Sequence, residues 1–174
     1  KSITDMLTGI TGTPGCGKTT AAETLRKRGI QVLDLKTTVS PFVIGNEDDS
    51  DIIDTDAWRE ELVKSGIDGF AEGLLAHYLP CDKLIILRCR PDVLKERLNG
   101  RGYSPEKIRE NAESEALDVI LIEAVNAYKP EQLFEIDTTN IDAEKTADLI
   151  LAFTEGKLPA AFGSIDWSEY VMNL

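Results

Sequence analysis

Eight residues near the start of the chain, Gly12-Thr13-Pro14-Gly15-Cys16-Gly17-Lys18-Thr19, fit the pattern G-x-x-x-x-G-K-[ST] in full. Each position has a chemical reason. Gly12, Gly15 and Gly17 permit backbone dihedrals that turn successive N–H groups inward around a phosphate, and the positive end of a following helix adds to that attraction. Lys18 supplies a mobile point charge to β- and γ-phosphates, and the Thr19 hydroxyl is a ligand for Mg²⁺. Cys16 occupies a variable position. It reads either as a small filler or as a thiol made reactive by the helix N-terminus.

The pattern carries weight only between a strand and a helix, and the flanking residues provide both. Leu7-Thr8-Gly9-Ile10-Thr11 is a short β-type run, and Thr19 to Lys27 follows as a helix closed by Gly29. The chain is therefore expected to be a P-loop protein that binds a nucleoside triphosphate with Mg²⁺. Such chemistry also needs an acid near the metal, at the end of a neighbouring strand. Two residues compete. Glu72 closes the run Ile67 to Glu72, just before Gly73, where its carboxylate faces the loop; Asp68 lies at the start of the same run. Glu72 is the preferred candidate.

A second concentration of charge lies in Arg88-Cys89-Arg90-Pro91, Arg97 and Arg101-Gly102-Tyr103, four arginines within an otherwise acidic chain. Arg88 ends a strand on the side where α/β sheets bind ligands, and Arg97 and Arg101 share a helical face if the helix persists. Guanidinium groups there can neutralise a transferring phosphoryl group. Their alternative use is surface pairing with Glu96, Glu106 or Glu110.

The elements that must hold these residues alternate. Ile30 to Leu35 reads as a second strand. The acid-rich stretch Lys36 to Asp56 shows no sustained period and reads as a functional excursion. Asp56 can cap a helix over Ala57 to Lys64. Lys83 to Cys89 is a continuous apolar run suited to a strand covered on both faces. Pro91 opens a helix through Leu98, and Ser104 with Pro105 starts the longest helix, reaching about Tyr128. Leu133 to Asp137 is a fifth strand, and Asp142 to Glu155 is the last main helix. Strands alternating with helices predict an α/β domain with a five-stranded parallel sheet and right-handed crossovers.

Composition sets outer bounds. The 174 residues suffice for one core, so a single domain is expected over residues 1–174, with Lys1 to Asp5, which precede Met6, set aside from the fold. A formal net charge of -12 repels nucleic-acid phosphates, and no direct binding of DNA or RNA is expected. Cys16, Cys81 and Cys89 are scattered and lack metal-ligand spacing, which reads as reduced thiols. No apolar run approaches the roughly 20 residues of a membrane span, so a cytoplasmic protein without membrane contact is expected.

The loop, then Glu96-Arg97-Leu98-Asn99-Gly100-Arg101-Gly102-Tyr103, Lys107-Ile108 and Asn111-x-Glu113-x-Glu115, resembles the isoenzyme-six-type adenylate kinases over about Leu7 to Phe153. These are small nuclear or archaeal adenylate kinases also linked to ribosome assembly. The resemblance implies the adenylate-kinase variant of the P-loop fold and ATP:AMP phosphotransfer with weak ATPase activity. It also implies a basic small-subunit ribosomal protein as a partner. It further implies that Gly15, Gly17, Lys18, Thr19 and Thr20 bind ATP and that Arg101 is the lid arginine that closes on it. The monophosphate-binding excursion is then about residues 35–53, the lid about 100–110, and the tail 158–174 carries Trp167 and Tyr170 for docking on its own domain or on a partner. Asp68-Gly69-Phe70 resembles the Asp-Gly-Phe of ordinary adenylate kinases, but Ala71 and Glu72 stand where proline and arginine should follow. The chain also departs from the isoenzyme-six pattern. Leu74 stands where a histidine is usual, with His77 three residues on as a structural residue or a substitute, and Lys36-Thr37 replaces a Gly-Asp pair. An ATP-driven assembly factor and a kinase of a small metabolite such as gluconate or shikimate are the alternative functions.

Overall fold

The computed structural model describes residues 6–174; Lys1 to Asp5 lie outside the described residues. In chain order the main elements begin with strand β1 (Leu7–Gly12), helix α1 (Lys18–Lys27) and strand β2 (Val32–Asp34). A hairpin of β3 (Val43–Glu47) and β4 (Ser50–Ile53), then α2 (Thr55–Lys64), β5 (Gly69–Glu72) and β6 (Lys83–Arg88), continue the chain. The second half holds α3 (Pro91–Gly100), α4 (Pro105–Ala116), α5 (Val119–Ala127), β7 (Leu133–Asp137), α6 (Ala143–Thr154) and a short α7 (Ser168–Val171).

Five strands form one parallel sheet in the order β2-β5-β1-β6-β7, so β1 is central and the phosphate-type loop leaves the middle of the sheet. Because every strand runs the same way, the chain ends of all five lie along one edge. Asp34, Glu72 and Gly12 therefore emerge side by side, with Glu72 in register with Ile10 on one side and Asp34 on the other. The expected sheet is the one observed.

Both faces of the sheet are covered, which explains the unbroken apolar run of β6. Ile85 and Leu87 pack with Leu25, Ala147 and Phe153 beneath α1 and α6. Leu84 and Ile86 face the other way, against Trp58, Ile120 and Ala124. Trp58 is fully buried, and its indole N–H donates to Thr38 Oγ1 at 2.8 Å, fixing the base of the excursion against α2.

Three sequence expectations need correction. The stretch after β2 is more regular than its composition indicates: two short 3₁₀ turns, Leu35–Thr38 and Ser40–Phe42, lead into the β3-β4 hairpin. Asp48 and Asp49 make the two-residue turn, with φ of 51° and 61°. Aspartate tolerates that region and replaces the usual Asn-Gly signal. Helix α2 begins earlier than expected, because Asp54 rather than Asp56 caps it, accepting from the Ala57 N–H at 3.1 Å.

The third correction concerns the long helix, which breaks in two at Leu117-Asp118, where Asp118 sits at φ 57°. Its cause is a buried cation: Arg88 Nη2 donates both to the Glu115 carbonyl, in the last turn of α4, at 3.1 Å and to the Asp118 carboxylate at 2.5 Å.

Candidate functional site

The loop between β1 and α1 is built from close approach. A Cβ on Gly12 would stand 2.7 Å from the Leu87 carbonyl oxygen, so only glycine lets β1 and β6 approach there. Gly17 holds φ 101° immediately before α1, a conformation that leaves side-chain-bearing residues strained. Cys16 is fully buried, and burial pushes its thiol pKa well above the ordinary value. The filler reading of Cys16 fits; the reactive-thiol reading does not.

Three contacts hold this loop from outside and one spans it from within. Thr13 Oγ1 donates to Glu115 Oε1 at 3.0 Å, and Arg97 Nη1 donates to the Gly15 carbonyl at 3.1 Å. Thr138 Oγ1 lies 2.8 Å from the Cys16 carbonyl, and Lys18 Nζ donates to the Gly12 carbonyl at 2.5 Å. With its outer carbonyls occupied, the loop is left to present N–H groups to the cleft.

That cleft encloses about 1030 Å³ and runs from the loop to the wall made by the excursion. Lys18, Thr19, Thr20 and Glu72 line it, and Arg97, Arg101 and Tyr103 close one side. Thr19 and Thr20 are exposed on the first turn of α1. Burial lowers the Lys18 pKa, while Glu72 acts to raise it. Burial, with help from Asp34, raises the pKa of Glu72, while Lys18 opposes the rise. A lysine and a carboxylate both shifted toward neutrality in one cleft mark a place prepared for charge. Asp68 stands just before β5, at the opposite end of that strand from Glu72, and is exposed.

The arginines divide. Arg88 is 1 % exposed and is consumed by three carboxylates, Glu115 at 2.8 Å, Asp118 at 2.5 Å and Glu135 at 2.7 Å, so it takes no part in the cleft. Arg90 pairs with Asp92 at 2.6 Å on the surface. Arg97 faces the cleft but also donates to Thr138 Oγ1 at 3.2 Å and the Thr138 carbonyl at 3.0 Å, stitching α3 to the loop and to the end of β7. Arg101 is exposed at the cleft and lies 5.7 Å over the Tyr103 ring. The alternative pairings of Arg97 and Arg101 with Glu96, Glu106 or Glu110 do not occur among the described residues.

His77, for which the sequence offers no partner, has two. It is 4 % exposed, with Nε2 3.0 Å from Glu123 Oε2 and Nδ1 3.4 Å from Thr11 Oγ1. It braces the turn after β5 and does not line the cleft. Sequence reasoning missed Asp34 and Thr138 and gave Glu115, which it named only within a resemblance, no role at the loop. Asp34 hid at the end of a strand; the other two act on the loop from far along the chain.

Relatives agree with this architecture. The AAA domain family profile matches residues 9–118. A provisionally named adenylate kinase from Natronomonas pharaonis is 39% identical over 170 residues, covering 95% of this chain and 100% of the relative. One from Archaeoglobus fulgidus, also provisionally named, is 40% identical over 168 residues, covering 93% of this chain and 92% of the relative. The chain belongs to the adenylate-kinase-like family. A gluconokinase structure from Sinorhizobium meliloti matches with a TM-score of 0.59 at 15% identity, covering 88% of this chain and 94% of that one. A sugar kinase from Janibacter matches with a TM-score of 0.56 at 16% identity, covering 86% and 94%. At such identities these two share the fold alone. Membership and fold together make the protein a kinase of a nucleotide or small molecule, built on a P-loop. No helix among the described residues is long and apolar enough to cross a membrane.

Proposed function

We propose that the protein transfers the γ-phosphoryl group of ATP to AMP. The observation that carries this reading is a continuous cleft of about 1030 Å³, which joins the phosphate loop to a second wall. Pockets for one drug-sized ligand run roughly 300–1,000 Å³, so this cleft lies at the upper end of that range, and its extent from the loop to the second wall suits a donor and an acceptor placed end to end. Leu35, Val39, Ile53 and Leu75 give the second wall an apolar surface for a base, with Asp34 and Lys36 beside it. A small sugar acid would leave that apolar surface uncovered.

In this reading Gly12, Gly15 and Gly17 shape a loop that offers backbone N–H groups to the donor phosphates, Cys16 binds there through the turn that its N–H closes on the Thr13 carbonyl at 3.1 Å, and Lys18, Thr19 and Thr20 add side chains. Thr19 and Glu72 are oxygen donors suited to a hard cation, and both line the cleft, which fits Mg²⁺. When bound, Mg²⁺ supplies charge neutralisation between the phosphates. Arg101, exposed and free of carboxylate pairing among the described residues, closes over the transferring group. Arg97 faces the same group while holding Gly15 in place, so it serves the reaction chiefly by position.

The test is ADP formation from ATP in the presence of each nucleoside monophosphate, gluconate or shikimate at equal concentration. AMP is expected to stimulate most. Stimulation by a sugar acid with AMP inert would overturn the assignment.

A further inference from the structure

The C-terminal tail reaches the phosphate loop through one buried carboxylate. Glu115 is 3 % exposed and accepts at both oxygens. Oε1 takes the Thr13 hydroxyl at 3.0 Å. Oε2 takes Arg88 Nε at 2.8 Å, the Cys89 N–H at 3.0 Å and the Trp167 indole N–H at 3.0 Å. Thr13 in turn is 2 % exposed, and its carbonyl accepts the Cys16 N–H at 3.1 Å, closing the turn at the base of the loop. An unbroken chain of hydrogen bonds therefore links Trp167 in the tail to the backbone that faces phosphate.

The tail is attached on both sides of Trp167. Ala161 pairs with β7, accepting from the Glu135 N–H at 2.8 Å and donating to the Leu133 carbonyl at 3.1 Å. Trp167 lies edge-on to Tyr170 with ring centroids 6.1 Å apart, and Leu174 packs against the main core cluster. Trp167 itself is half-buried, so its hydrogen bond can be made or released without unfolding the domain.

We propose that Glu115 and Trp167 are positioning residues for nucleotide binding, and that docking of the tail sets the geometry of the phosphate loop through Glu115 and Thr13. The donors on Oε2 compete for one oxygen's electron density. Releasing the indole shifts Glu115 toward Arg88 and Cys89 and away from Thr13. Coupling of this kind is reciprocal: a docked tail tightens nucleotide binding, and bound nucleotide tightens the tail by the same factor. The inference rests on the loop being the triphosphate site, but not on the identity of the acceptor.

The experiment measures ATP affinity by calorimetry for wild type, Trp167→Phe, Thr13→Val and the double variant, with thermal unfolding as a check on the fold. Trp167→Phe keeps an aromatic ring and removes the donor together with the fused five-membered ring, and the double variant with Thr13→Val separates loss of the hydrogen-bond route from loss of packing. ATP binding is expected to weaken about five- to tenfold in Trp167→Phe, within the usual range for coupled sites, with less than additive loss in the double variant. In parallel, 5-fluorotryptophan is incorporated and followed by ¹⁹F NMR; saturating ATP should move the Trp167 resonance and leave the buried Trp58 resonance in place. Unchanged ATP affinity in folded Trp167→Phe would overturn the proposal. So would strict additivity, because the tail would then act by a route that bypasses Glu115 and Thr13. Failure of wild type to bind ATP would instead overturn the assignment of the loop.

Discussion

Glu72→Gln and Asp68→Asn each delete one carboxylate charge while preserving size and hydrogen-bonding capacity, yet their consequences should differ by about two orders of magnitude. The two residues stand at opposite ends of β5, four positions apart. At a rise of about 3.3 Å per residue, Asp68 is ~13 Å farther than Glu72 from the edge that carries the loop. A unit charge at least ~13 Å away through water contributes at most about 0.3 kcal/mol before screening, and a Debye length of about 8 Å reduces that to less than ~0.1 kcal/mol. Glu72 is different. For a cation held ~5 Å from its carboxylate, at an effective dielectric constant of about 20, the charge would be worth ~3 kcal/mol, or roughly 150-fold in rate. The assay is steady-state ADP formation with saturating ATP and Mg²⁺. Loss of activity in Asp68→Asn equal to or greater than that in Glu72→Gln would refute the placement of the metal-side carboxylate.

Three further outcomes follow from the geometry. Lys18→Ala should lose phosphotransfer while its unfolding transition stays close to wild type, because the lysine spans the loop mouth and not the core; full turnover in a folded variant would remove the loop from the mechanism. Gly12→Ala should unfold more easily by about 1–3 kcal/mol in denaturant titration, since its methyl group would press on the Leu87 carbonyl at 2.7 Å; wild-type stability would contradict the close approach of β1 and β6. Folding raises the pKa of Glu72 above its ordinary 4.5, so its favourable contribution is complete below that value and is lost as pH rises through the folded value. Glu72→Gln should therefore melt higher than wild type at neutral pH, with the gain vanishing as pH falls below about 4.5; a constant difference across that range would count against a desolvated carboxylate.

What the sequence made legible was local. Gly12, Gly15, Gly17 and Lys18 act through their own backbone and side-chain chemistry, so eight consecutive residues were enough to read the loop. The β6 run was readable because a strand covered on both faces has no polar alternation to obscure it. The residues that brace the loop were hidden by distance: Glu115 lies 102 positions from Thr13, and Thr138 lies 122 from Cys16. Only the fold brings them together. The break at Asp118 lacks glycine or proline and depends on Arg88, which looks in sequence like a phosphate ligand and is instead a buried counter-ion. The β3-β4 turn was missed because Asp48-Asp49 is a weaker hairpin signal than Asn-Gly.

The central claim, phosphoryl transfer between two nucleotides in one cleft, is tested most directly by following the γ-phosphorus itself. ATP labelled with ³²P at the γ position is mixed with unlabelled AMP, Mg²⁺ and the protein, and products are separated before the reverse reaction spreads the label. Label appearing at the β position of ADP, at a rate exceeding its release as inorganic phosphate, is the predicted result. Label found only in inorganic phosphate, at a rate indifferent to AMP, would contradict it.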